Sequence, residues 1–397
     1  MAENIKHFPV NWIDGMKINK KHFIELQDNV EDLIRDARNL EVNELNYGLL
    51  STPLSRPFNY SISIDTHNEL SVNIKMLKAI TPAGGRIEIT DFTGEFSEKI
   101  ELKDLDNKEN NYFLLLNVDP YTRVPSGEQN MEEVPPRFPH ALSKYHLTSV
   151  AESEVNHNNI GALQFPIAKF KASTDGGYEI ITNYIPPSLT LNNHPSLISL
   201  FENYDLFFKQ LEFYAIQINR KIKFRTNNED ENLIANMVFD VCDKALRFVE
   251  LQISKNKWIN YNLKPIELLD NVITLSRTIK NSFDYFSGDG KEMLFNYFSE
   301  WTDITSGDYE RLFTDTINVK YKAYDIDPII EQAKDFMTKL DQLFSILNQL
   351  DYIGKKRDAG IFVNENILKN DRKTSGLFGS DSDDDREAPS SPTFLAD

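Results

Sequence analysis

The stretch of residues 184–223 places the strongest constraint on how this chain can fold. It opens with Pro186-Pro187, a pair that can neither continue a strand ladder nor lie in the middle of a helix. Apolar side chains then recur every three or four residues, which is the spacing of one face of a long helix. These positions are Leu197, Leu200, Phe201, Tyr204, Phe207, Phe208, Leu211, Tyr214, Ala215 and Ile218. Strand-like sequence precedes the stretch and helical sequence follows it, so we expect it to join two structural parts.

Residues 51–190 carry the pattern of strands. Short runs rich in Ile, Val, Leu, Phe and Tyr follow one another, and several alternate apolar with polar residues. Turn sequences such as Pro82-Ala83-Gly84-Gly85 separate them. Because no helical pattern alternates with these runs, an antiparallel sandwich is favoured over a parallel α/β sheet. The Pro-rich residues 119–139 are expected to form a long binding or ordering loop.

Helical periodicity appears on both sides of this region. Near the N-terminus, apolar residues at helical spacing predict an amphipathic helix; they are Phe23, Leu26, Val30, Leu33, Ile34, Ala37 and Leu40. Residues 195–353 are predicted to be almost wholly helical. The expected fold is therefore an α+β multidomain protein. Its predicted domains are an N-terminal antiparallel β-sandwich shell (1–190), an α-helical bundle or neck (191–353) and a mostly disordered acidic tail (354–397).

Composition excludes several classes of function. The chain has 43 basic and 61 acidic residues, a formal net charge of −18, which argues against binding to nucleic acid or to anionic lipid. Its single cysteine, Cys242, allows no intrachain disulfide and is expected to be a buried thiol. No signal peptide and no apolar run of membrane-spanning length is found, so we expect a soluble, cytoplasmic protein without membrane insertion.

A search for chemistry yields no recognised catalytic or cofactor motif. The chain lacks a phosphate loop, a dinucleotide fingerprint, a zinc-protease motif and a nucleophile elbow, and its seven histidines are scattered. The run Asp325-Ile326-Asp327-Pro328 is interpreted as a helix cap rather than a cation site. Residues 381–387 lack the central glycine and final glutamate of a calcium loop. The sequence therefore predicts no catalytic residue, no metal site, no cofactor and no enzymatic activity.

Large apolar residues near the N-terminus are candidates for partner binding. The segment around Trp12 is too short to bury itself, so this tryptophan is either an interface anchor or part of the core. His22 lies beside Phe23 at the start of the predicted helix and is either a partner contact or a structural histidine. The candidate partner-binding residues are Trp12, Met16, His22 and Phe23.

Several motifs together resemble the TssK family of type VI secretion baseplate subunits. Residues 10–16 (VNWIDGM), followed by His22-Phe23 and Gln27-Asp28, are similar to the family's opening element and first helix. Residues 79–89 (AITPAGGRIEI) resemble its proline–turn–glycine hairpin. Residues 184–200 and 264–283 resemble its diproline junction and a later helix. The resemblance spans roughly residues 8–300, with the motifs in the family's order.

This resemblance implies a trimeric adaptor in a contractile injection machine. A β-rich shell would bind wedge proteins like TssF and TssG, and a helical neck would trimerise. The trimer-interface candidates are Leu197, Leu200, Phe201, Tyr204, Phe207, Phe208 and Leu211. A C-terminal head would dock to membrane-complex proteins, which implies a cytoplasmic location at an inner-membrane-anchored apparatus. The chain departs from the family in having Lys20-Lys21 before His22, and only about 44 patternless residues follow Ile353, so no head is expected.

Two other classes of function stay open at this point. A phage-tail-like module could recognise a surface ligand through its sandwich, and binding to glycans without affinity for baseplate proteins would distinguish it. An enzyme of unrecognised type, such as a glycan hydrolase on the β domain, would lose turnover on substitution of one Asp or Glu.

Overall fold

The computed structural model describes residues 5–51, 58–102, 111–155, 161–174, 176–225, 232–286 and 289–354. Within these ranges the strands are β1 Gly48–Leu49, β2 Phe58–Ile64, β3 Glu69–Ile80, β4 Arg86–Ile89, β5 Phe96–Glu101, β6 Asn111–Ser126, β7 His140–Ala151, β8 Gln164–Ala172 and β9 Tyr178–Ile181. The helices are α1 Lys20–Arg38, α2 Pro195–Arg225, α3 Asn232–Ile259, α4 Pro265–Tyr285, α5 Asp289–Trp301, α6 Ser306–Asn318 and α7 Asp327–Gln349. The predicted order, strands first and then helices, is confirmed.

The strands form two antiparallel sheets. In the first, β3 is central and pairs with β1, β2, β4 and β5; in the second, the order is β7-β6-β8-β9. The antiparallel pairing agrees with the prediction. Sequence reasoning missed β5, because only Phe96 and Ile100 are apolar in a strand that otherwise carries Ser, Glu and Lys.

The two sheets contribute to one hydrophobic core. Leu70, Val72 and Ile74 of β3 belong to the same buried cluster as Leu114 and Leu116 of β6. The sheets also contact each other at one edge. The Leu147 N–H donates to the Glu98 carboxylate at 2.6 Å, and the Glu88 N–H donates to the Tyr145 hydroxyl at 3.2 Å. The N-terminal helix α1 lies on the two sheets that share this core.

Residues 119–139 are more ordered than the expected long loop. Strand β6 continues into them as far as Ser126, which pairs with His140 of β7, so only residues 127–139 connect the two strands. The register shifts between Asp119 and Arg123, and the pairing resumes beyond this irregularity. A bulge of this kind lets a ladder continue past residues that cannot be paired. The result is a long two-stranded arm.

The predicted trimer-interface residues lie in the core of the single chain, which corrects their assignment. Side chains on α2 that the sequence assigned to contacts between copies are at most 5% exposed: Leu197, Leu200, Phe201, Tyr204, Phe207, Phe208 and Leu211. They share one buried cluster with residues from α3 to α7. The apolar faces of these helices cover the α2 stripe, so the chain itself removes it from water. Helix α6 was missed, although Thr305 caps it by accepting a hydrogen bond from the Asp308 N–H at 3.3 Å.

The diproline segment connects the two parts as the sequence predicted. It runs beside β1, where the Leu49 N–H donates to the Pro187 carbonyl at 2.8 Å. Gly48 has φ +129°, and a Cβ at this position would lie 2.0 Å from the Pro187 oxygen. Only glycine therefore permits this close approach of the two backbones.

Residues 319–326, which we name the strap, bring the helical part back onto the sheets. Tyr321 and Ala323 join the β core, and the Tyr184 hydroxyl donates to the Tyr324 carbonyl at 2.7 Å. Asp325 is 6% exposed and accepts a hydrogen bond from the Lys169 ammonium of β8 at 3.3 Å. The same ammonium donates to Glu152 at 2.8 Å. The strap therefore fixes the two parts through both apolar and ionic contacts.

The interpretation of this region as a helix cap was wrong. The N-cap of α7 is Ile326, and no side chain caps the helix there. Asp325 pairs with Lys169 instead, because the strap turns its carboxylate toward β8. Asp327 is the first residue of α7, and burial followed by repulsion from Asp325 raises its pKa to about 6. The sequence could not show this, since Lys169 is more than 150 residues away.

Replacing Asp327 by asparagine should change how stability depends on pH. The folded carboxyl titrates at about 6 and the unfolded one near 3.8, so between these values the folded state binds more protons. This carboxyl therefore lowers the free energy of unfolding as pH rises from about 4 to about 6, by up to about 2 kcal/mol. We expect Asp327→Asn to gain relative stability over that window in urea unfolding curves. A wild-type-minus-variant difference that stays flat from pH 4 to 7 would contradict this.

The single cysteine, Cys242, is fully buried, and burial raises the pKa of its thiol well above the ordinary value. None of the helices in the described ranges combines the length and apolarity needed to span a bilayer. Those ranges also hold no group of three or more His, Cys, Asp or Glu side chains that could bind a metal ion. Of the tail expected to be disordered, residues 354–397, all but Gly354 lies outside the described residues, and so do residues 381–387.

Candidate protein-interaction surface

Helix α1 lies on the sheets with its polar face inward. Asp28, Asn29, Asp32 and Arg35 are 5–8% exposed. The opposite face carries the apolar stripe and is open to solvent; its most exposed large members are Phe23, Leu26, Val30, Leu33 and Ile34, at 37–54%. A surface helix of a globular protein normally shows the reverse arrangement. Contiguous exposed apolar surface of this kind marks a site of protein interaction.

Charged hydrogen bonds to the sheets explain this orientation. The Arg35 guanidinium donates to the Ala83 carbonyl at 3.1 Å and to the Tyr121 hydroxyl at 2.8 Å. Arg38 donates to the Gly84 carbonyl at 2.9 Å. These two carbonyls belong to the turn between β3 and β4, at the motif of residues 79–89. Two backbone carbonyls of this turn therefore hold α1 against the sheets by accepting hydrogen bonds.

The base of the β6–β7 arm supplies the remaining anchors. Arg123 donates to Asp28 at 2.5 Å, and the Tyr121 hydroxyl donates to Asp32. Burial and the bond to Asp32 raise the pKa of Tyr121 to about 12. Burial alone would raise the pKa of Asp32, but the hydrogen bonds from Tyr121 and from the backbone of His7 and Lys6 lower it below its ordinary value. Asp32 is therefore an anionic acceptor at neutral pH.

The N-terminal segment is fixed to the same polar face. The backbone N–H groups of Lys6 and His7 each donate to Asp32 at 2.9 Å, and the Asn29 amide donates to the His7 carbonyl at 2.9 Å. Its large apolar side chains nevertheless face solvent: Ile5, Phe8, Trp12, Ile13 and Ile18 are 40–74% exposed. The start of the segment is thus positioned by its backbone, and these large apolar side chains are available for contacts.

Three of the four predicted partner-binding residues come together in space. The Trp12 ring lies 6.0 Å from the His22 ring and 6.4 Å from the Phe23 ring, between centroids. His22 also takes part in the capping box of α1, since the Asn19 N–H donates to its Nδ1 at 3.4 Å. Met16 is half-buried in the preceding turn, where its N–H donates to the Ile13 carbonyl at 3.3 Å. We call Trp12, Met16, His22 and Phe23 the N-terminal cluster.

Sequence reasoning found the apolar stripe of α1 but missed its outward orientation. The available signal was the polar face, where two acids and an arginine recur at spacings of four and three: Asp28, Asp32 and Arg35. That spacing also describes an ordinary solvated face. The partners that distinguish the two cases, Tyr121 and Arg123, lie more than 85 residues away in sequence.

Removing the Arg35 side chain should loosen α1 from the sheets. Because Arg35 is 5% exposed and donates to the buried Ala83 carbonyl and the half-buried Tyr121 hydroxyl, we expect Arg35→Ala to lower the free energy of unfolding by about 2–3 kcal/mol. Lys21→Ala on the same helix is the matched control, since its side chain is 79% exposed and should cost under about 0.5 kcal/mol. Hydrogen exchange of the α1 amides should rise only in Arg35→Ala. Equal protection in both variants would show that Arg35 does not position the helix.

Comparisons with known proteins find structural likeness only. No family model matches the chain, and no curated protein matches it in sequence. A crystal structure of TssK is 13% identical with a TM-score of 0.46, covering 84% of this chain and 69% of that chain. TssK from the type VI system of EAEC, bound to a nanobody, is 13% identical with a TM-score of 0.42, covering 79% and 96%. A chain of the TssK-TssF-TssG baseplate subcomplex is 12% identical with a TM-score of 0.45, covering 84% and 99%. These structures belong to the family that the sequence motifs resemble.

Proposed function

We propose that this chain is a structural component of a type VI secretion baseplate, without enzymatic activity, that acts as an adaptor for wedge proteins like TssF and TssG. The observation that carries the proposal is the N-terminal segment, whose backbone is anchored on Asp32 and Asn29 while its aromatic side chains face solvent. Because Lys6 and His7 hold its start and the Trp12 ring lies near the rings of His22 and Phe23, the segment loses less conformational freedom when it binds. Such preorganisation increases affinity for a protein partner.

The placement of the sequence motifs supports the same function. Residues 10–16 form the exposed segment, and the turn at residues 82–85 receives α1 through the Ala83 and Gly84 carbonyls. The diproline lies beside β1, and the Leu191 N–H donates to the Leu263 carbonyl just before α4. The turn, the diproline segment and the start of α4 therefore lie where elements of this fold meet.

The N-terminal cluster is the proposed contact for the wedge proteins. Trp12 is 45% and Phe23 is 54% exposed, and their rings lie side by side at the start of α1. Aromatic side chains in a small, fixed cluster are the residues that contribute most to binding at protein interfaces. The polar surroundings, including Asp14 and Lys17, would form the rim of this contact.

A homotrimer is part of the proposal, with a different contact from the one that the sequence suggested. The outward faces of α2 and α3 carry large apolar side chains: Leu206 and Phe213 are 47% and 54% exposed, and Leu251 and Trp258 are 67% and 83% exposed. These positions lie opposite the buried stripes of their helices. We therefore place the contact between copies on the outward α2–α3 face, and the predicted domains 1–190 and 191–353 remain the proposed shell and neck.

Light scattering tests the trimer. We expect a particle of three times the 45.8 kDa chain mass, and a folded particle of one chain mass after the double change Leu206→Asp and Phe213→Asp. Both residues are exposed in the single chain, so the variant should retain its helical circular dichroism. A wild-type chain that stays a monomer at tens of micromolar would overturn the trimer.

Co-purification tests the wedge contact. The chain is expressed with the TssF-like and TssG-like proteins of the same secretion gene cluster, and we expect a stable complex. The double change Trp12→Ala and Phe23→Ala should reduce the yield of complex at least tenfold without changing stability, because truncating two aromatic anchors costs about 2 kcal/mol or more. Lys21→Ala is the control. A wild-type chain that binds neither wedge protein would refute the adaptor function.

A further inference from the structure

The exposed stripe of α1 has the spacing of a coiled coil. Leu26 and Leu33 are seven residues apart, and Val30 and Ala37 interleave with them at seven. Alternating steps of four and three are those of the a and d positions, where leucine favours d and β-branched residues favour a. Leu26, Val30 and Leu33 are 37%, 45% and 50% exposed. Leu40, the next d position just past the helix end, is 87% exposed. We call Leu26, Val30, Leu33, Ala37 and Leu40 the α1 seam.

Exposed charges along the seam have a polarity. The exposed charges at its N-terminal end are net basic, and those at its C-terminal end are all acidic; they are Asp14, Lys17, Lys20 and Lys21 at the first, and Asp36, Glu41 and Glu44 at the second. A parallel second copy would place like charges together at each end. An antiparallel copy places the net basic end of one seam beside the acidic end of the other, and it also opposes the two helix dipoles. The seam is therefore complementary in charge to a second, antiparallel seam.

The side chains also match in size in this arrangement. When Val30 faces the second copy's Leu33, Leu26 faces the second copy's Ala37, so a large residue meets a small one at the outer layers. One flank of α1 is covered by the backbone of His7, which bonds Asn29. The other flank, with Gln27 exposed and Ile34 at 40% exposure, is open to receive the second helix.

We propose that the α1 seam pairs antiparallel with the α1 seam of a second copy of this chain, so that two adaptor particles join through their β parts. This contact has two-fold symmetry. It goes beyond the proposed function, since it uses neither Trp12 nor the outward α2–α3 face, although Phe23 of the N-terminal cluster would face the second copy's Leu40. The pairing requires the apolar face of α1 to point outward, because a helix that packed this face on its own sheets could not pair.

Cysteine cross-linking tests the pairing and its direction. Val30→Cys and Leu33→Cys proteins, carrying different tags, are oxidised separately and as a mixture. In the antiparallel pair residue 30 meets residue 33, so we expect the disulfide-linked dimer at least fivefold more in the mixture than in either protein alone. Cys242 is fully buried, so the native thiol contributes little background. Links formed equally well by each protein alone would indicate a parallel pair and overturn the proposal, as would no link in any sample.

Particle mass gives an independent readout. At equal concentration we expect the wild-type particle to have twice the mass of Leu33→Asp, while Lys21→Asp, on the same helix but off the seam, retains the wild-type mass. Equal masses for the wild type and Leu33→Asp would refute the pairing. Failure of the trimer is distinguishable, since it changes the mass of the Leu33→Asp particle itself to a value other than three chains.

Discussion

Replacing Phe207 by alanine is expected to destabilise the helical part by about 3–5 kcal/mol. Phe207 is fully buried, and its ring lies 5.6 Å from that of Phe208, between centroids. Its removal leaves a cavity among helices whose faces cannot all shift inward. Urea unfolding followed by circular dichroism at 222 nm measures the loss. If Phe207 instead lay between copies, the variant would separate into folded monomers with an intact helical part. We do not expect this result.

The neighbouring residue provides the control. Leu206 lies on the opposite face of α2 and is 47% exposed, so Leu206→Ala should change the free energy of unfolding by less than about 0.5 kcal/mol. The two positions therefore separate folding from assembly. Leu206 belongs to the proposed contact between copies, whereas Phe207 is expected to affect whether the helical part folds. A similar loss of stability in both variants would contradict the division of α2 into an inner and an outer face.

Lys169→Ala is expected to cost about 3 kcal/mol at pH 8. The Lys169 side chain is 11% exposed and its partner Asp325 is 6% exposed, so removing the ammonium leaves a buried carboxylate without its cation. Breaking a buried ion pair by removing one partner is far more costly than the pair is stabilising. Because the pair links β8 to the strap, the sheets and the helical part should also unfold less cooperatively. Hydrogen exchange in urea, read separately for the amides of the sheets and for those of α2 to α7, would reveal this as two transitions.

The cost of Lys169→Ala should fall at lower pH. Burial already raises the pKa of Asp325 despite the attraction of Lys169, and loss of the ammonium raises it further. A protonated Asp325 carries no charge, so at pH 5 we expect a clearly smaller loss than at pH 8. The matched control is Lys171→Ala two residues along β8, whose ion pair with Glu179 is about half exposed and contributes little. A loss that is independent of pH would show that the packing of Lys169, rather than its charge, is responsible.

The sequence by itself determined which segments are helices or strands. Period and turn chemistry are local, so α1, α2 and the alternating strands could be predicted from residues close together in the chain. The same local signal brought Trp12, His22 and Phe23 to attention, since they are close in sequence and remain close in space. Strand β5, with only two apolar residues, was missed, and α6 was not identified as a separate helix although Thr305 marks its start.

Only the tertiary structure decided which face of each helix meets water. The stripe of α2 resembled a contact between copies, yet α3 to α7 bury it within one chain. The stripe of α1 faces outward, because Ala83, Tyr121 and Arg123 bind the polar side of that helix. Periodicity predicts that a helix has an apolar and a polar face. Which of the two faces is buried depends on partners that lie tens to hundreds of residues away. Hydrogen bonds to such distant groups therefore reversed the orientation that hydrophobicity alone would give α1.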